Sequence, residues 1–188
     1  MRTWWTILAV AGSVGCGSAA VTGDEAPEGA LPARTASAAL TPQERAREAT
    51  MAYQDELQAR LDGFLPSGGC REGAQGAEGV LYLNHARMDD VVDAERPEGL
   101  LYVPEPGGMR LVAVVYVRVV LRGGMPVTGS SVPENIDAAP VLLGEPMDGP
   151  TTVGDTEGRW HYRLTAWLWS DNPSGTFARF NPSLRCGG

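Results

Sequence analysis

The chain contains no lysine: all fifteen of its basic residues are arginine. That absence removes a Walker-type phosphate loop, a Schiff-base lysine and a Ser-Lys dyad together, because each needs an ε-amine. Histidine is almost as scarce, with only His85 and His161, and there is no Cys-x-x-Cys, so the usual ligands of a zinc site are in short supply. Positive charge is in deficit as well. The net charge is −8, and such a chain is repelled by nucleic acid and by anionic lipid headgroups. Nucleic acid is therefore excluded as a partner. The apolar run at the start, residues 4–14, is eleven residues long, well short of the ~20 that a spanning helix needs.

What that start does have is the anatomy of a secretory leader: Arg2, a short apolar stretch, then small residues. Ser13-Val14-Gly15-Cys16 looks like a bacterial lipobox, with Ser13 where a leucine is usual, and in that reading Cys16 carries the lipid. The rival is ordinary secretion with cleavage after Ser18-Ala19-Ala20. Either way residues 1–20 are a leader, and its removal shifts the net charge from −8 to −9. Residues 21–40 are Ala, Gly, Pro, Thr, Ser and Glu without apolar periodicity, a disordered tether. Residues 41–188 then form a single globular domain. Once Cys16 is lipidated or cut away, Cys70 and Cys186 are left as a pair, which an oxidising compartment favours as a disulfide over two free buried thiols.

The domain opens on Thr41-Pro42-Gln43-Glu44, a capping box with proline in the first turn. Ala46, Ala49, Tyr53, Leu57 and Leu61 recur at helical spacing, predicting one amphipathic helix of about twenty residues stopped by Gly63. The period then changes to two. Strands are expected at residues 80–84, 100–103, 110–122 and 160–169, with a brief one at 141–143. In the longest, Leu111, Ala113, Val115, Val117, Val119 and Leu121 should share one face and Val112, Val114, Tyr116 and Val120 the other. In the last, Trp160, Tyr162, Leu164, Ala166 and Leu168 form a core face. The opposite face, with His161, Arg163, Thr165, Trp167 and Trp169, mixes polar groups with indoles as a groove lining does. The fold class is α+β: an amphipathic helix packed on a mainly antiparallel sheet, an arrangement that also allows a partial barrel.

Several segments carry a resemblance. Leu100-Leu101-Tyr102-Val103-Pro104, Trp167-Leu168-Trp169 with Asn172-Pro173-Ser174-Gly175-Thr176-Phe177-Ala178, and Phe180-Asn181-Pro182 followed by Cys186 resemble a family of uncharacterised exported bacterial proteins with no assigned activity. The resemblance supports the domain limits and the Cys70–Cys186 pair. It also implies histidine at the position of Leu81, glutamate at that of Val115, and two histidines at those of His161 and Thr165. Such a set is what a cupin-like metal centre uses. Here only His161 survives, and one imidazole does not hold a divalent ion.

The candidate ligand-contacting residues are therefore His161, Thr165, Trp167, Trp169, Leu81 and Val115. His161 has a plainer alternative, a histidine hydrogen-bonded on the sheet face. His85 is expected in a surface turn. The acidic run Asp89, Asp90, Asp93 and Glu95 lacks the spacing of a calcium loop, and Ser130 and Ser131 lack a nucleophile elbow. No catalytic residue, cofactor or metal is assigned. The expected function is a non-catalytic, lipid-anchored module of the cell envelope that binds a small molecule or an envelope protein. A cupin-like enzyme relative with a degenerate metal site is the alternative, and plain secretion is the alternative to anchoring.

Overall fold

The computed structural model describes residues 39–154 and 158–187. The leader, Cys16 and residues 21–38 of the tether lie outside that range. Helix α1 (Pro42–Ala49) begins with the expected capping box: the Thr41 hydroxyl accepts from the Glu44 N–H, and the Glu44 carboxylate accepts from the Thr41 N–H at 2.7 Å. The single long helix is not there. After α1 the chain makes a 3-10 turn (Met51–Gln54), and Asp55 turns extended and caps a second helix, α2 (Glu56–Leu61), by accepting from the Leu57 N–H. An aspartate favours that capping role over a helix interior. The restart changes the phase. Ala46, Tyr53, Ala59 and Phe64 are buried, while Leu57 and Leu61 stand 63% and 72% exposed.

Eleven strands follow: β1 (Leu65–Pro66), β2 (Arg71–Gly73), β3 (Gly76–Leu83), β4 (Gly99–Glu105), β5 (Gly108–Val119), β6 (Leu121–Arg122), β7 (Met125–Pro126), β8 (Val141–Leu142), β9 (Glu145–Pro146), β10 (Asp148–Thr151) and β11 (His161–Ala166). Seven of them form one antiparallel sheet in the order β1-β3-β4-β5-β11-β10, with β2 also on β3. The sheet is open, with β1 and β10 at its edges, and does not close into a barrel. The short pairs β6-β7 and β8-β9 stand apart from it.

Both faces of the central strands are covered, which suits their nearly unbroken valine and leucine content. On one face Tyr82, Leu100, Tyr102, Val114, Tyr116 and Leu164 pack with Ala46, Tyr53, Ala59 and Phe64 of the helical segment. The tyrosines there keep their hydroxyls satisfied: Tyr102 donates to the Tyr53 carbonyl at 2.6 Å and Tyr116 to that of Ala94 at 2.7 Å. On the other face Leu81, Leu83, Leu101, Val103, Ala113, Val115, Val117 and Trp167 cluster, with Met88 and Leu184 against them. Leu111 is not with Ala113 and Val115 as strict alternation predicts; it lies on the helical face. The register explains this. Leu101 opposes Ala113 but Tyr102 opposes Leu111, so Val112 is an extra residue and the alternation changes sign there.

The tail returns to the start of the sheet. Asn181 pairs with Ala77 through both backbone hydrogen bonds, and a Cβ on Gly76 would sit 2.2 Å from the Asn181 carbonyl oxygen. That position, at φ +109°, admits only glycine in practice. Cys70 and Cys186, 116 residues apart, meet at disulfide distance with 5.6 Å between Cα atoms.

Candidate functional site

Strand β11 sorts its side chains by alternation. Tyr162, Leu164 and Ala166 enter the helical-face core, which turns His161, Arg163 and Thr165 the other way. The alternation ends at once after the strand, where the Leu168 N–H donates back to the Ala166 carbonyl at 3.0 Å. Trp167 stays with the second-face cluster, but Trp169 swings to the helical side, against the expectation that it shares the His161 face. The turn is the physical reason.

His161 is buried at the far end of the strand, opposite Val119 on one side and Thr151 on the other. Its Nδ1 lies 3.0 Å from the Arg159 carbonyl oxygen, so Nδ1 carries the proton. Burial pulls its pKa below the ordinary value, with the Arg159 carbonyl opposing that shift and Arg163 adding to it. The imidazole is therefore neutral and held to its own backbone. About 20 Å of extended chain separates it from the two indoles.

Leu81, Val115 and Thr165, by contrast, gather. Thr165 opposes Val115 and Val115 opposes Gly99. A Cβ on Gly99 would meet Leu81 Cδ1 and Val115 Cβ, each at 3.1 Å. The three positions form a tight, mostly aliphatic knot, with His161 four residues along the strand from Thr165. Among the described residues no three His, Cys, Asp or Glu side chains converge as a metal site needs. His85 begins an exposed 3-10 turn (His85–Arg87) capped by Asn84.

The two indoles do line a common space. A groove of about 640 Å³ opens between α1 and residues 167–171, walled by Gln43, Glu44, Arg47, Trp167, Trp169 and Asp171 among others. Arg47 organises it. Its guanidinium lies 4.5 Å over the Trp169 ring and donates to the Leu168 carbonyl at 2.6 Å, a cation–π contact fixed by a hydrogen bond. The Trp169 N–H reaches the Thr50 hydroxyl at 3.2 Å, and the Trp167 N–H reaches the Ala178 carbonyl at 2.5 Å. With Trp167 only 5% exposed, the half-buried Trp169 supplies the ring surface, while Glu44, Asp171 and Gln43 offer polar contacts.

Two carboxylates, Glu98 and Glu78, are buried away from the groove. Glu98 accepts from the Val117 N–H at 2.7 Å, and burial pushes its pKa up to about 8, the Val117 hydrogen bond opposing. Glu78, 1% exposed, contacts Arg163 directly through Oε1, with Arg179 at 3.7 Å from the same oxygen and Arg71 at 3.8 Å from Oε2. Strand periodicity carries no sign of either. The one available signal was Arg163, a charge on an otherwise buried strand that had to meet an acid. No protein-family profile, curated protein or solved structure matches the chain.

Proposed function

We propose that this chain is a lipid-anchored protein of the cell envelope, carried at Cys16, whose folded unit is a non-catalytic binding module. The groove between α1 and residues 167–171 carries that reading. It is large enough for a small molecule, and it sets aromatic surface beside charged and amide side chains. That combination suits a small polar ligand with one flat apolar face, such as a sugar or an amino-acid derivative. The Arg47–Trp169 stack is already formed without a ligand, which lowers the ordering cost of binding. The leader-like start and the cysteine pair favour an exported setting.

Thermal-shift and tryptophan-emission screens with soluble saccharides and amino acids test the groove. A ligand that raises the unfolding midpoint of the wild type, and loses that effect in Arg47→Met, supports the proposal; hits indifferent to Arg47→Met reject it. Fatty-acid labelling of the wild type and Cys16→Ala tests the anchor, and an unlabelled mature chain beginning at Val21 returns the protein to plain secretion.

A further inference from the structure

Beside the Glu78 cluster, and apart from the groove, lies a small cavity of about 50 Å³ lined by Asp148, Thr151, Val153, Arg163, Thr165 and Arg179. Arg163 is 8% exposed, and its Nε has no hydrogen-bond partner although it is fully buried. A buried donor left unmade is costly, the more so on a charged group. Arg163 and Arg179 both approach one oxygen of Glu78, Oε1, while Glu78 Oε2 is buried without a hydrogen-bond partner, with Arg71 at 3.8 Å; Glu78 itself does not line the cavity. Thr151 already accepts from the Val153 N–H at 3.0 Å, which leaves its own O–H as a donor. Asp148, opposite Arg163 across the β10–β11 pair, is the one acidic lining residue and is exposed.

The lining itself sets two guanidiniums and two threonine hydroxyls against one exposed carboxylate. From this we infer that the cavity is a binding site for one small oxyanion group, a phosphate or a carboxylate, received by Arg163, Arg179 and the two threonine hydroxyls. Its volume holds roughly three or four waters, or one such group. Guanidinium donors suit either anion because they present paired N–H groups to paired oxygens. A long polyanion is disfavoured as the ligand by the chain's net charge of −8.

Isothermal titration of the full-length protein with inorganic phosphate, and separately with acetate, at constant ionic strength, decides it. Saturable one-to-one binding of at least one is expected. Tighter phosphate identifies a phosphoryl ligand, and tighter acetate a carboxylate one. Arg179→Gln, at a half-exposed position, should weaken binding by about tenfold or more, whereas Arg45→Gln, outside the cavity, should leave it unchanged. If Arg179→Gln does not fold, Thr165→Val, which keeps the side-chain volume and removes a hydroxyl, should weaken binding severalfold. No saturable heat with either anion, or equal affinity in the folded cavity variant, overturns the inference.

Discussion

Glu98 is a carboxyl group whose surroundings keep its proton on. Its folded pKa of about 8 stands above the ordinary 4.5, so between those values the native state holds a proton that the unfolded chain releases. Stability from this group is complete below about pH 4.5 and is lost as pH rises through about 8. His161 acts in the opposite sense. Its folded pKa is lowered from 6.5, so its contribution is present above 6.5 and fades as pH falls. We expect Glu98→Gln, which keeps an acceptor for the Val117 N–H, to remove the decline of stability between pH 4.5 and 8. Urea unfolding of both proteins across that window checks it, and parallel profiles would falsify the assignment. A second residue-scale expectation concerns Gly76. Gly76→Ala forces a Cβ toward the Asn181 carbonyl at a positive φ, and should cost more than about 1 kcal/mol, measured by the same unfolding.

At the scale of elements, the helical segment shows what periodicity conveys and what it hides. The start was legible, since Thr41, Pro42 and Glu44 specify a cap by local chemistry alone. The interior was not, because apolar spacing assumes unbroken helix, and Asp55 restarts it. Asp55 followed by Glu56 was the available signal. The consequence is measurable: Leu57→Gln and Leu61→Gln should change stability by no more than about 0.5 kcal/mol, whereas Ala59→Leu, which overfills the core, should cost roughly 1–3 kcal/mol. Denaturant midpoints of the three variants reverse the order that the sequence stripe implies. The strands tell a similar story. The long valine run announced β5, but the bulge at Val112 depends on its partner β4 and has no local mark. Trp167 and Trp169 were recognisable as a pair, but the length of β11 separates Trp167 from His161, and the turn between Ala166 and Leu168 carries Trp169 to the other face.

At the scale of the whole molecule, the cysteine pair joins the start of the sheet to the end of the chain. Cys186→Ser should cost roughly 2–5 kcal/mol relative to the oxidised wild type, and reductant should bring the wild type down to the variant in thermal melts. Intact mass with and without reductant reports the bond itself. The sheet order adds a consequence in time. β10 reaches the rest of the sheet only through β11, and β11 is followed by the tail that pairs Asn181 with Ala77. A chain delivered amino-end first can form the β3–β4–β5 meander early, yet it has no right-hand border until residue 166 arrives and no clasp until residue 186 does. Such distant pairings are slow to close. The sheet therefore closes late: its second border and the clasp between Asn181 and Ala77 both wait for the carboxy-terminal residues.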